Sequence, residues 1–216
     1  MVLRKLVGIL TITLIVCAAS LASAGVPDVT QCTAASGNAN FAVLLNAPNG
    51  NGNAFTLARQ DIGGGIYAVV DATISVVVND ATPAAIFNYP FEDIWLESVD
   101  GGMAACTGGA TADASTDILG MTQFQTALQA GGWSLANTRV LINGNAIATT
   151  VAIGHNSPDI DGNGAVNLTD VQIFASDLYA YLLQSIYNFR SDFYYDGKVN
   201  LTDLQKLAEH IGASCP

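Results

Sequence analysis

Short apolar runs separated by turn-forming residues dominate the chain between residues 25 and 156. Many of these runs are rich in β-branched residues, which is typical of strands. Asn143-Gly144 lies between two of them and is a strong hairpin signal. Seven or eight runs without a helical pattern predict an antiparallel β-sandwich over residues 25–154, with strands expected at 41–45, 66–70, 73–78, 84–87, 94–99, 122–128, 140–142 and 147–153.

Two short segments of this region carry a resemblance. The sequence WLESVDGG at residues 95–102 and the turn AGGW at residues 130–133 resemble bacterial Ig-like modules of secreted proteins. The resemblance implies that the predicted sandwich is Ig-like. It implies little about activity, because one fold of this kind carries many functions.

The apolar spacing changes to a helical period in the last sixty residues. The pattern occurs in two stretches 33 residues apart: Val171, Phe174, Ala175, Leu178 and Leu182, then Leu204, Leu207, Ala208 and Ile211. Gly212 is placed to end the second helix. This spacing predicts a small α-helical domain at residues 155–216.

An oxygen-rich loop precedes each predicted helix. It reads DIDGNGAVNLTD at residues 159–170 (the first loop) and DFYYDGKVNLTD at residues 192–203 (the second loop). Calcium takes oxygen ligands at fixed positions of such EF-hand-type loops, with glycine at the sharp bend. The predicted ligands are Asp159, Asp161, Asn163, the carbonyl of Ala165, Asn167 and Asp170 in the first loop, and Asp192, Asp196, the carbonyl of Lys198, Asn200 and Asp203 in the second.

The second loop departs from this pattern at its third position. Tyr194 stands where the first loop has Asp161, and a phenol is too long to replace that carboxylate. We therefore expect weaker calcium binding at the second loop and two unequal sites in a titration. Val166 and Val199, at the eighth position of each loop, are expected to meet across a short β-like contact.

Two loop–helix units, with no helix before the first loop, are similar to type I dockerins. A repeat in register is far more specific than a single acidic loop. The resemblance implies Ca²⁺ as cofactor and docking onto a cohesin-like protein outside the cell. Dockerins dock with paired small hydroxyl residues at loop positions 10 and 11, whereas this chain has Leu168-Thr169 and Leu201-Thr202.

Residues 1–24 have the features of a secretory signal peptide. Arg4 and Lys5 precede an apolar run, and residues 22–24, Ala-Ser-Ala, form a small-residue cleavage site. The run is short for a transmembrane helix, so no span is expected in the mature chain. The formal net charge of −11 is expected to repel nucleic acid and anionic lipid and to attract divalent cations.

Three cysteines lie beyond the predicted signal peptide: Cys32, Cys106 and Cys215. In an oxidising compartment two of them are expected to pair, and the sequence does not choose among the three pairings. His155 and His210 have no metal-ligand neighbour at helical or hairpin spacing. We expect both histidines to lie on the surface.

The chain has no recognisable catalytic motif. Glu92, Asp93 and Glu97 could supply the carboxylate pair of a glycosidase, although acids near the start of a strand usually lie on a solvated face. Trp95 and Trp133 are candidate platforms for sugar rings, with packing the more common role. The sequence therefore favours a non-catalytic protein, with a role beside glycoside hydrolases as the enzymatic alternative.

Three functions are compatible with these features. The first is a secreted calcium-binding protein whose dockerin-like domain mediates extracellular assembly, with a cohesin-like partner or with itself. The second is a component that binds or degrades polysaccharides, because dockerins commonly accompany such enzymes. The third is a structural subunit of a cell-surface layer or filament, joined through an edge strand or the odd cysteine.

Overall fold

The computed structural model describes residues 25–216, so the predicted signal peptide at residues 1–24 lies outside the described residues. Within this range no helix is long and apolar enough to cross a membrane. Among residues 25–216, twelve strands precede two α-helices: β1 (Thr33–Ser36), β2 (Ala42–Leu45), β3 (Ala58–Gly63), β4 (Ile66–Val70), β5 (Ile74–Val77), β6 (Ile94–Ser98), β7 (Met103–Ala105), β8 (Met121–Phe124), β9 (Ala130–Gly132), β10 (Thr138–Ile142), β11 (Asn145–Val151), β12 (Ile153–Asn156), α1 (Leu168–Gln184) and α2 (Leu201–His210).

The strands form four small sheets, with the orders β1-β5-β8, β11-β10-β6, β12-β2-β3-β4 and β7-β9. Strand β1 lies alongside β11 and so brings the first two sheets together. Inward-facing apolar side chains of these sheets share one buried core, which includes Phe55, Ile74, Leu96, Phe124 and Ile153. The predicted mainly β, sandwich-like body is therefore confirmed.

The expectation of a wholly antiparallel body is wrong at one pair of strands. Strand β12 runs parallel to β2, with Ile153 opposite Ala42 and Asn156 opposite Leu45. All four residues of each strand are buried, which is typical of parallel pairing. Strand β12 also continues two residues past the predicted boundary at residue 154.

The predicted hairpin at Asn143-Gly144 is present, whereas one predicted strand is absent. Asn143 and Gly144 have φ of 49° and 79° and connect β10 to β11 as expected for a tight hairpin. Residues 84–87 do not form a strand, because a turn begins at Phe87 and Asn88 adopts the left-handed conformation with φ of 56°. Only an isolated bridge between Asn79 and Ala85 remains there.

The two helices pack on a second apolar core. Phe174 and Leu207, at equivalent positions of the repeat, are both buried in it, together with Leu45 of β2. The outer part of each predicted apolar stripe is exposed, as Leu182 and Ile211 show. The β body therefore shares a core with the helical domain.

The backbone of the first loop pairs with the C-terminal tail. The N–H of Val166 donates to the carbonyl of Ala213 at 2.8 Å, and the N–H of Gly212 donates to the carbonyl of Val166 at 2.9 Å. Val166 and Val199 lie in the same core. The expected β-like contact of the two valines is thus replaced, for Val166, by pairing with the tail.

The cysteines and histidines have definite places. Cys106 and Cys215 form a disulfide between the β body and the tail, and Cys32 is a free, buried thiol within the described range. Both histidines are buried, so the expectation of surface positions is wrong. His155 belongs to β12, and His210 packs against the loop at Asn51, whose carbonyl is 3.2 Å from its Nε2.

Candidate metal centre

Three carboxylates of the first loop lie together. Asp159, Asp161 and Asp170 each offer an oxygen within 4.8 Å of the others. Asp159 and Asp170 are fully buried, whereas Asp161 is exposed. These residues are the first, third and twelfth of the loop, so the sequence-predicted acids converge. Grouped hard oxygen ligands fit a calcium ion.

The loop's own backbone holds these carboxylates in place. Asp159 accepts hydrogen bonds from the N–H groups of Asn163 at 3.1 Å and Gly164 at 2.9 Å. Asp170 accepts from the N–H groups of Ile160 at 2.7 Å and Asn167 at 2.8 Å. Gly164 makes the bend with φ of 88°, a conformation that favours glycine.

Burial of these carboxylates favours a cation. Burial raises the pKa of Asp159 to about 6, against the hydrogen bond from Gly164, and the neighbouring Asp170 and Asp161 add to the rise. Negative charges gathered away from water are costly unless they are paired. A divalent cation would remove that cost, so the residues of the first loop fit the ion.

The remaining predicted ligands of the first loop have additional partners. The side-chain oxygen of Asn163 accepts from the N–H of Ala165 at 3.1 Å. Asn167 caps α1: its side-chain oxygen accepts from the N–H of Thr169 at 2.8 Å, and its amide donates to the carbonyl of Ala165 at 3.0 Å. With Asp170 this forms a capping box, whose signal is the Asn followed three residues later by an acid.

The second loop has the same pattern of hydrogen bonds and helix capping, but its acids do not form a cluster of three. Asp203 accepts from the N–H groups of Tyr194 and Asn200, both at 2.9 Å, and Asn200 caps α2. The carboxylate of Asp196 accepts from the N–H of Lys198 at 3.1 Å. In the described part of the chain, a cluster of three acids with metal-ligand geometry is found in the first loop alone.

Buried acids of the second loop also have raised pKa values. Burial raises the pKa of Asp203 to about 6, with hydrogen bonds from Tyr194 and Asn200 opposing the rise. Burial likewise raises the pKa of Asp192, against a hydrogen bond from Tyr187. No spacing signal in the sequence indicated that Tyr187 contacts this carboxylate.

Asp177 in α1 is a second residue whose role was not predicted from the sequence. Its buried carboxylate accepts two hydrogen bonds from Arg190, at 2.8 and 2.9 Å, and others from Asn188 and Ser191. These bonds fix the segment between α1 and the second loop. The available signal was an acid between the apolar residues Phe174 and Leu178.

A cleft on the β body gathers some of the other candidates. Its volume is about 470 Å³, and Glu92, Trp95 and Glu97 line it together with Met103. The indole N–H of Trp95 donates to Glu97 at 3.3 Å. Asp93 does not line this cleft, and the second tryptophan, Trp133, packs on Phe189 of the helical domain, with ring centroids 6.2 Å apart.

The comparisons with known proteins identify the helical unit. Residues 157–212 match the family model described as "Dockerin type I domain". A type I dockerin domain therefore follows the β body, as the duplicated loops and helices predicted. This match covers the end of the chain and does not classify residues 25–156.

Similarity to known proteins says less about the β body. No curated protein matches the chain. Among solved structures, the chain is similar to the crystal structure of the Lin-41 filamin domain, with 13% identity and a TM-score of 0.28, over 59% of this chain and 95% of that chain. The architecture of the body is therefore taken from its own strand pairing, and the Ig-like topology stays a prediction.

Proposed function

We propose that this chain is a secreted, non-catalytic calcium-binding protein that attaches its β body to a cohesin-type partner outside the cell. The observation that carries the proposal is the dockerin domain at residues 157–212. The carboxylate group of its first loop supports the calcium requirement. The anionic composition of the chain is compatible with an extracellular, cation-binding role.

The residues of the first loop would couple calcium to the helix that follows. Asp159, Asp161 and Asp170 would hold the ion, which supplies positive charge to the buried carboxylates. Asp170 also belongs to the capping box of α1. Because the same carboxylate serves the loop and the cap, an ion that fixes the loop also fixes the start of α1. Binding free energy then contributes to folding free energy.

The start of each helix would meet the partner. Leu168 and Leu201, at loop position 10, are 69% and 74% exposed, and Thr169 and Thr202 follow them. Exposed apolar side chains at equivalent positions of a repeat are typical of a protein-binding surface. A partner suited to this surface is a cohesin whose binding face includes apolar side chains that contact Leu168 and Leu201.

This function predicts calcium-dependent binding. Purified chain is tested against a panel of recombinant type I cohesins by biolayer interferometry, in calcium and in EDTA. We expect binding in calcium to at least one cohesin, and at least about a hundredfold weaker binding in EDTA or after Asp161→Asn/Asp170→Asn, because the loop then lacks its ion. Far-ultraviolet circular dichroism should show loss of helix on chelation, with the β signal unchanged.

Two controls separate the partner from the ion. Leu168→Asp should weaken cohesin binding while the calcium-dependent helical signal stays intact, and Leu119→Asp, at an exposed position of the β body, should change neither. Failure of every cohesin to bind in calcium would contradict the adaptor function. A helical signal insensitive to chelation would contradict the coupling of calcium to folding.

Polysaccharide binding by the β body is a second candidate, which the cleft at Trp95 favours. Arg139 donates to Glu97 at 2.8 Å, and Glu97 accepts from the Trp95 indole. These contacts hold an aromatic ring and carboxylates at one opening, and sugars stack on such rings while their hydroxyl groups donate to acids.

Affinity electrophoresis against soluble plant and microbial polysaccharides tests this second function. We expect retardation by at least one polysaccharide, and its loss in Trp95→Ala. Trp133→Ala is the matched control, because Trp133 packs on Phe189 away from the cleft. Equal mobility of the chain in all gels, with and without polysaccharide, would contradict glycan binding.

A further inference from the structure

The second loop lies against the hairpin formed by β3 and β4. The guanidinium carbon of Arg59 is 4.1 Å from the ring centroid of Tyr194, which is a cation–π geometry. The rings of Tyr67 and Tyr195 meet edge to face with centroids 5.4 Å apart. Two consecutive tyrosines of the loop therefore contact the β body.

The bend of the second loop completes this contact. A Cβ added at Gly197 would collide with the hydroxyl of Tyr67, whereas one added at the equivalent Gly164 would meet Cys215 of the tail at 3.3 Å. The two bends of the repeat thus face different neighbours. Only the second bend approaches the β3–β4 hairpin.

The carboxylate at the first position of this loop already accepts a hydrogen bond from another side chain. Asp192 accepts from the N–H groups of Asp196 at 3.0 Å and Gly197 at 2.8 Å, and from the hydroxyl of Tyr187 at 2.8 Å. In the first loop, the carboxylate of Asp159 accepts from the main-chain N–H groups of Asn163 and Gly164, and no side chain of the described residues donates to it. The residue 33 positions before Tyr187 is a glycine in β12, so the first repeat has no counterpart of this hydroxyl.

The β body also holds the other end of the loop. The side-chain amide of Asn156, the last residue of β12, donates to the carbonyls of Phe189 and Asp192, both at 2.9 Å. The ring of Phe189 then packs on Tyr195, with centroids 5.9 Å apart. Strand β12 and the β3–β4 hairpin therefore both contact this loop or the segment leading into it.

We propose that the second loop is an intramolecular docking segment that fastens the dockerin domain to the β3–β4 hairpin, and that the domain holds one calcium ion, in the first loop. The third-position carboxylate is replaced by Tyr194, whose ring lies at Arg59, and the first-position carboxylate is bonded to Tyr187. This inference rests on the proposed calcium role of the first loop. It replaces two unequal calcium sites by one site and one internal contact.

Calcium stoichiometry tests the first half of the proposal. Native mass spectrometry and isothermal titration of the full chain should both give one ion. Asp161→Asn/Asp170→Asn should bind none, and Asp192→Asn should still bind one. Two ions on the unmodified chain would overturn the inference and leave the proposed function standing, whereas no ion would contradict the calcium role of the first loop itself.

A variant that rebuilds the second site tests the assigned cause. Tyr187→Phe removes the hydroxyl donor to Asp192, and Tyr194→Asp supplies the third-position carboxylate. Together they should raise the stoichiometry from one ion to two. If the double variant still bound one ion, the assignment to these two tyrosines would be wrong.

Hydrogen exchange tests the docking. In Arg59→Ala/Tyr67→Ala, backbone amides of residues 192–203 should exchange about tenfold faster, as expected for loss of one cation–π and one aromatic contact. The control is Arg139→Ala, which removes an arginine from the separate ion pair with Glu97. Unchanged exchange at residues 192–203 in the double variant would overturn the docking role.

Discussion

At the scale of single residues, His155 is fully buried and both of its ring nitrogens have polar partners. The amide of Asn46 contacts its Nδ1 at 3.1 Å, and the hydroxyl of Thr138 lies 2.7 Å from its Nε2. The same hydroxyl donates to the carbonyl of Ile153 at 2.7 Å, so it accepts from an Nε2–H group. With the amide of Asn46 donating to Nδ1, these bonds select the neutral ring.

This environment predicts a pH-dependent stability. Burial lowers the pKa of His155 to about 4, although Asp100 opposes the shift. The unfolded chain takes up a proton near pH 6.5 and the folded chain does so only near pH 4. The contribution of this group is therefore present above pH 6.5 and decreases as the pH falls, by up to about 3 kcal/mol. Urea unfolding of the chain and of His155→Gln between pH 7 and pH 4.5 measures this contribution. It is the difference between the two proteins in how their free energy of unfolding changes with pH.

Comparison with the variant is needed because other buried groups titrate in the same range. Burial raises the pKa of Asp159 and Asp203 to about 6, so without calcium these acids make the folded chain more stable as the pH falls through 6. That change has the opposite sign. NMR of the ring nitrogens gives a direct check: we expect a neutral imidazole with its proton on Nε2 at pH 5, and an imidazolium there would contradict the prediction.

At the scale of elements, the sequence predicted the strands and turns that neighbouring residues determine. Strand β5 was predicted from a β-branched run, and the β10–β11 hairpin from Asn143-Gly144. Strand β3 was missed because Arg59, Gln60 and Asp61 break its apolar pattern, while its pairing with β4 holds it in the sheet. Pairing between β12 and β2 could not be predicted, since it joins segments about a hundred residues apart with no spacing signal.

The same contrast between local and tertiary features separates the two loops. The acids of the first loop were predicted because their spacing alone brings them together. The replacement of a ligand by Tyr194 was visible in the sequence, but its ring contact with Arg59 depends on how the domain sits on the body. The docking of the second loop is a tertiary feature, and for that reason spacing predicted a weaker site and not an internal contact.

At the scale of the whole molecule, several contacts join the dockerin domain to the β body. Leu45 of β2 belongs to the core of the domain. Asn156 bonds to the segment before α2, and the disulfide between Cys106 and Cys215 fastens the C-terminal tail to the body. Since these contacts lie at separate places on the β body, the domain is expected to move with the body and not as a tethered unit.

The disulfide also borders the candidate metal centre. The N–H of Cys215 donates to the carbonyl of Gly164 at 2.8 Å, at the bend of the first loop, and Ala165 bridges Ser214 of the tail. The tail therefore forms a short β-like contact with the loop, and the disulfide fixes the tail. Loss of the disulfide should loosen the loop that groups the carboxylates.

Removal of the disulfide therefore has two expected effects. Cys106 and Cys215 are 109 residues apart, and a cross-link closing a loop of that length contributes about 4 to 5 kcal/mol to stability. Cys106→Ser/Cys215→Ser should lower the free energy of unfolding by about this amount in urea. It should also weaken calcium binding several-fold in an isothermal titration, because the first loop must then be ordered by the ion alone.

Cys32→Ala is the matched control, since it removes a buried thiol and leaves the disulfide intact. Its Sγ lies 3.5 Å from the carbonyl of Asn79 in the β body, away from the tail, so it should change stability without changing calcium affinity. A calcium affinity equal in the double variant and the unmodified chain would mean that the tail does not support the first loop. If Cys32→Ala reduced the calcium affinity as much as Cys106→Ser/Cys215→Ser does, calcium binding would report the stability of the whole fold. A specific contact through Cys215 should weaken calcium binding in the double variant alone.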